Sequence, residues 1–121
     1  MKKILFIEDE PTLQKTVGEV LSQEGFKIFE ALDGEEGLMM AKSEKPDLIL
    51  LDLILPKKNG FEVLQELKAD EETANLKVIV LTNLESSQDV ERALALGATN
   101  YLVKANYDLE EVVAKIKELL N

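Results

Sequence analysis

The chain contains no histidine, no cysteine and no tryptophan among its 121 residues. Without histidine there is no His nucleophile, no Ser-His-Asp triad, no imidazole zinc site and no histidine phosphocarrier. Without cysteine there are no disulfides, and nothing points to export. Aromatic residues number only six, four Phe and two Tyr, which leaves little for base stacking. Lys and Arg (14) are outnumbered by Asp and Glu (24), giving a net charge of −10. Nucleic acid is therefore not expected as a direct partner, because phosphate backbones are held by clustered cations. No run of ~18 apolar residues exists to cross a membrane. The apolar run after Lys2 and Lys3 breaks at Glu8, too early for a signal peptide. A cytoplasmic location is the expectation. What remains for chemistry is carboxylate, hydroxyl and lysine, and oxygen ligands of that kind favour hard cations such as Mg²⁺.

Apolar residues at 45% and charged residues at 31% describe a globular chain, and the length suits one domain over residues 1–121. Five short β-type runs stand out: Lys3–Ile7, Lys27–Ala31, Leu48–Leu51, Val78–Leu81 and Asn100–Val103. The segments between them have helical periodicity. Leu13, Val17, Val20 and Leu21 form one apolar stripe, and Phe61, Leu64 and Leu67 another. Leu109, Val112, Val113, Ile116, Leu119 and Leu120 form the longest. Pro11 suits a first helical position. Asp33 with Glu36, Ser86 with Asp89, and Asp108 with Glu111 each pair a cap with a residue three further on. Gly25 and Gly97 act as C-terminal stops.

Strands alternating with helices imply right-handed crossovers and a parallel sheet covered on both faces. The unbroken apolar run Leu48-Ile49-Leu50-Leu51 is that of a central strand. In such a sheet the ligand site lies beyond the carboxyl ends of the strands. The residues there are Glu8 and Asp9 after the first strand, Asp52 after the third, Thr82 after the fourth and Lys104 after the fifth.

Taken singly, each of these residues has an ordinary explanation. Asp52 could begin a loop, Glu8 and Asp9 could favour the positive end of a helix dipole, Thr82 suits a strand, and Lys104 could be a solvated lysine. Yet Asp52 lies in Leu48–Leu55, where every other residue is apolar, and a charge there is costly unless paired or metal-bound. Carboxylates of Glu8 and Asp9 facing Asp52 would raise one another's proton affinity, a conflict a divalent cation removes. Together the five residues can serve phosphoryl transfer. The Asp52 carboxylate attacks phosphorus, a metal and Lys104 neutralise the phosphoryl oxygens, and Thr82 donates a hydrogen bond to one of them.

Over essentially its whole length the chain resembles the receiver domains of bacterial two-component response regulators, and among them the stand-alone, chemotaxis-regulator-like members. The resemblance is carried by Ile-Leu-Phe-Ile-Glu8-Asp9-Glu10, by Asp52-Leu-Ile-Leu-Pro56 with Asn59-Gly60, by Val-Ile-Val-Leu-Thr82, and by Gly-Ala-Thr-Asn-Tyr-Leu-Val-Lys104. It implies a flavodoxin-like (βα)5 fold with strand order 2-1-3-4-5 and helices on both faces. It implies Asp52 as phosphoacceptor, with Thr82 and Lys104 assisting. Glu8, Asp9, Asp52 and the backbone carbonyl of Ile54 would hold Mg²⁺. Thr82 would be the switch hydroxyl and Tyr101 the aromatic that follows it. The implied partners are a sensor histidine kinase or a phosphotransfer protein and a downstream protein target, contacted through the fourth helix, fifth strand and fifth helix, where Arg92, Tyr101 and Tyr107 lie. Such a domain catalyses only its own phosphorylation and dephosphorylation, and is a monomer or a phosphorylation-linked dimer. The final helix reaches Leu120 with no linker composition behind it, so a stand-alone chain is expected.

The chain departs from the family pattern in three respects. Ala105 follows Lys104 where proline is usual, so a trans peptide is expected, and the stretch to Asp108 is about one residue longer. Asn83 follows Thr82 where a small residue is typical, and could narrow phosphoryl access or add a hydrogen bond. Ile54 and Leu84 stand two residues beyond Asp52 and Thr82, positions that the resemblance implies flank the water that hydrolyses the acyl phosphate. Neither can orient water, so a long-lived phosphorylated state is expected. Competing classes fit less well. A haloacid-dehalogenase phosphatase needs an acid where Ile54 stands, and a flavin carrier needs a hydroxyl- and glycine-rich loop where Glu8-Asp9-Glu10-Pro11 stands. A receiver-like docking module that is never phosphorylated is disfavoured by the intact acidic set.

Overall fold

The computed structural model describes residues 1–120. Strands and helices alternate as β1 (Lys3–Ile7), α1 (Pro11–Gln23), β2 (Lys27–Ala31), α2 (Gly34–Glu44), β3 (Leu48–Leu51), α3 (Gly60–Ala69), β4 (Lys77–Thr82), α4 (Ser87–Ala95), β5 (Asn100–Val103) and α5 (Leu109–Leu120). All pairings are parallel, in the order β2-β1-β3-β4-β5.

Alternation along each strand divides the core in two. Ile4, Phe6, Leu48, Leu50, Ile79, Leu81 and Leu102 face Val17 and Leu21 of α1 and Val112, Val113 and Ile116 of α5. Leu5, Ile7, Ile49, Leu51, Val78 and Val80 face Ala41 of α2, Val63, Leu64 and Leu67 of α3, and Ala93 of α4. Every residue of β3 is buried, as its unbroken apolar run requires.

The termini are closed by the expected chemistry. Pro11 opens α1, Asp33 accepts the Glu36 N–H, and Ser86 accepts the Asp89 N–H. Asp108 and Glu111 form a reciprocal box at 2.9 and 3.2 Å. A second box, Asn59 with Glu62, opens α3 and was not anticipated as a cap. Gly25 (φ +94°) and Gly97 (φ +110°) end α1 and α4 in the left-handed region. In the stretch between Lys104 and Asp108, residues Lys104–Asn106 form a 3-10 turn. No peptide among the described residues is cis, as the Ala105 substitution predicts. No helix among the described residues is long and apolar enough to cross a membrane.

Candidate active site at the carboxyl rim of the sheet

Register fixes which side chains meet. Ile7 pairs with Leu51, and Leu51 with Val80, so the next residues out, Glu8 and Asp52, are neighbours on the rim. The Asp52 N–H continues the ladder to the Ile7 carbonyl at 3.1 Å. Glu8 and Asp52 have the same parity as Phe6 and Leu50 and extend that stripe past the strand ends. Lys104 extends the Leu102 row of β5 in the same way. The Lys104 Nζ donates to Glu8 Oε1 at 2.7 Å and to Asp52 Oδ2 at 3.0 Å.

Glu8 and Asp52 are 1% and 4% exposed. The second Glu8 oxygen accepts the Glu10 N–H at 3.0 Å, and the second Asp52 oxygen accepts the Ile54 N–H at 3.2 Å. Burial pushes the Glu8 carboxyl above its usual range, against the Lys104 and Glu10 hydrogen bonds that pull it down. Burial alone would lower the Lys104 ammonium, but its bonds to Glu8 and Asp52 more than offset this and raise it.

Asp9 is exposed, yet one carboxylate oxygen each from Glu8, Asp9 and Asp52 lies within 4.8 Å of the others. Three carboxylates against one ammonium leave two negative charges uncompensated, the charge of one divalent cation. The donor set is all oxygen, which suits a hard ion. These three residues could therefore hold a metal.

Thr82 has the opposite parity and is fully buried on the α3–α4 side. Its Oγ1 meets the Leu84 N–H at 3.5 Å rather than any of the carboxylates. Tyr101 donates its hydroxyl to the Leu84 carbonyl at 2.7 Å, so the backbone of one residue of the β4–α4 loop, Leu84, meets both switch candidates, Thr82 through its N–H and Tyr101 through its carbonyl. Burial, then the charges of Asp89 and Asp52, raise the Tyr101 phenol above its usual value. Ile54 places its N–H on Asp52 and exposes 54% of its surface. Asn83 is exposed and Leu84 half-buried. On the expected docking surface, Arg92 stacks on the Phe61 ring at 4.1 Å, and Tyr107 packs with the α1–α5 core.

Two buried residues beside the site had not been given a role from the sequence. Gln14 turns its amide onto strand-end carbonyls, and Gly60 lies where a Cβ would stand 2.4 Å from the Asp52 carbonyl oxygen. Gln14 had a signal, since it lies three and seven residues before Val17 and Leu21 on the inner face of α1.

Relatives similar in sequence and in architecture are numerous. The chain is 42% identical to the DNA-binding dual master transcriptional regulator RpaA of Synechocystis over 99% of its own length and 49% of that protein. It is 44% identical to the transcriptional regulatory protein CiaR of Streptococcus pneumoniae over 99% of its length and 52% of that protein. It thus spans about half of these regulators. It is 32% identical to the protein PilH of Pseudomonas aeruginosa, covering 98% of it. The chemotaxis protein CheY4 of Vibrio cholerae superposes with a TM-score of 0.91 at 26% identity, over 98% of both chains. The family described as response regulator receiver domain matches residues 4–117. The chain belongs to that family, the signalling domains of two-component systems that are phosphorylated on aspartate.

Proposed function

We propose that Asp52 accepts the phosphoryl group, within a single receiver unit over residues 1–121 that catalyses only its own phosphorylation and dephosphorylation. The observation that carries this is the convergence of Glu8, Asp9 and Asp52 oxygens within 4.8 Å, with Lys104 bridging two of them. Mg²⁺ would be held by Glu8, Asp9, Asp52 and the Ile54 carbonyl, and when bound supplies charge neutralisation to the phosphoryl oxygens.

The chain's own groups do the rest. An Asp52 oxygen forms the new O–P bond as the donor's P–N bond in phosphohistidine, or P–O bond in acetyl phosphate, breaks. The Ile54 N–H holds the other Asp52 oxygen, and the Lys104 ammonium, already on Asp52, remains to pair with the incoming charge. Thr82 turns its hydroxyl from the Leu84 N–H toward the phosphoryl group. That frees the loop and lets Tyr101 follow, so phosphorylation shifts the population of two surface forms. The donor is a sensor histidine kinase or phosphotransfer protein, the receiver of the signal is another protein, and a cytoplasmic setting goes with that reading, as does a monomer or a phosphorylation-linked dimer.

Incubation with acetyl phosphate, with and without Mg²⁺, read by intact mass, tests this. The chain should gain one phosphoryl group only with the metal, and Asp52→Asn should gain none. Uptake by Asp52→Asn, or no uptake by the folded parent, would refute the assignment. After donor removal the same assay measures lifetime. With apolar Ile54 and Leu84 beside the site the phosphoryl group should persist for hours, and decay in seconds would refute that part.

A further inference from the structure

We infer that Gln14 is a positioning residue for metal binding: its buried side-chain amide pins the Glu8–Asp9 peptide in the orientation that brings Asp9 to the metal. The inference rests on the acidic rim being a metal site.

Gln14 is 5% exposed, one of very few buried polar side chains. Its Nε2 donates to the Ala31 carbonyl at 2.9 Å and approaches the carbonyls of Glu8 and Phe6 at 3.3 and 3.5 Å. Two protons serve three acceptors, so the Ala31 bond is the firm one and the second proton divides between Glu8 and Phe6. The same Ala31 carbonyl also accepts the Glu8 N–H at 3.0 Å. Glu8 is therefore held on every side: its N–H by β2, its carbonyl by α1 through Gln14, and its carboxylate by Lys104 and the Glu10 N–H.

Asp9 has no such support. It is exposed, and no side-chain hydrogen bond holds its carboxylate among the described residues. Its direction is set by the backbone that carries it. The Glu8 carbonyl and the Asp9 N–H lie in one planar peptide, so anchoring the oxygen fixes the plane from which Asp9 departs. Gln14 thereby acts on the ligand with the greatest freedom, from inside the core and without touching the metal. A residue that orients a ligand in this way typically contributes 10–100-fold in affinity, and at 3.3 Å the low end applies.

The comparison that separates positioning from general support uses Thr73. Its hydroxyl, 1% exposed, donates to the Leu67 carbonyl at 2.7 Å, a buried side-chain-to-backbone tie outside the acidic site. Mg²⁺ affinity is measured by calorimetry on the parent, Gln14→Met and Thr73→Val, with unfolding followed in urea. Gln14→Met should bind Mg²⁺ roughly tenfold more weakly than the parent, while Thr73→Val, though destabilised, binds as the parent does. Equal affinity in parent and Gln14→Met overturns the inference and leaves the metal site standing. No binding by the folded parent overturns the metal site itself, and the inference with it. Should Gln14→Met not fold, nitrogen-15 NMR of the parent decides. The Gln14 side-chain amide should move over the same Mg²⁺ range as the Asp9 backbone amide, and an amide that stays still overturns the inference.

Discussion

Lys104 is the residue on which the rim's electrostatics turn. Its ammonium sits between two carboxylates whose side chains are 1% and 6% exposed, and its own side chain is 17% exposed. Removing one partner of a buried ion pair leaves uncompensated charge, and here it leaves two such groups. Lys104→Met should lose about 2 kcal/mol in metal-free buffer at neutral pH, a figure reduced for the partial exposure of the lysine. It should also be stabilised more by Mg²⁺ than the parent, because the metal then supplies the missing positive charge. Urea unfolding of both proteins with and without Mg²⁺ reads this, and equal metal stabilisation would contradict it. Glu8 gives a pH signature of definite sign. Its carboxyl is raised above 4.5 in the folded chain, so the fold holds a proton that the unfolded chain releases. The resulting stability is fully present below 4.5 and is lost as pH rises through the raised value. In metal-free buffer the stability of the parent relative to Glu8→Gln should therefore increase as pH falls from 7 toward 5. A flat difference would show that Glu8 titrates as it would in water.

Among the elements, the loop between β3 and α3 begins at Asp52, the proposed phosphoacceptor, and depends on a close approach. A Cβ on Gly60 would stand 2.4 Å from both the Asp52 carbonyl oxygen and the Leu53 Cα. Since Asn59 and Glu62 box the helix start, α3 cannot slide away without losing its cap. Gly60→Ala should cost about 3 kcal/mol and slow phosphoryl uptake as well, because the backbone it displaces is that of Asp52. Gly25→Ala offers the contrast. Gly25 has φ +94° with nothing near its missing Cβ, so the substitution should cost only about 1–2 kcal/mol of backbone strain and leave uptake unchanged. Thermal unfolding with the acetyl phosphate assay separates the two.

Stability is unevenly spread over the molecule. The central strand β3 is buried throughout, whereas α4 buries only Ala93. The β4–α4 region is further held by the Tyr101–Leu84 bond and by Arg92 on Phe61, both partly open to solvent. Amide exchange should therefore be slowest in β3, at the rate of global unfolding, and faster in α4 through local opening. Exchange in α4 as slow as in β3 would mean that the two open as one unit. Helix α4, in the proposed output surface, thus buries fewer residues than any of the other α-helices, which lowers the cost of a second surface form.

The sequence by itself determined the strands, the caps and the parallel architecture, because period-two and period-3.6 patterns report burial directly and Asp33, Ser86 and Asp108 satisfy their own helix ends. It also marked Glu8, Asp9, Asp52, Thr82 and Lys104 as strand-end residues, since a parallel sheet brings all such ends to one rim. Only the tertiary structure decided who bonds whom there. Strand register and parity join Glu8, Asp52 and Lys104 and turn Thr82 to the other side. The same holds for Gln14, whose amide finds the carbonyls of two strands only after α1 has docked. Period and capping are local properties of the chain. Contacts between strand ends far apart in sequence depend on how the whole sheet is assembled.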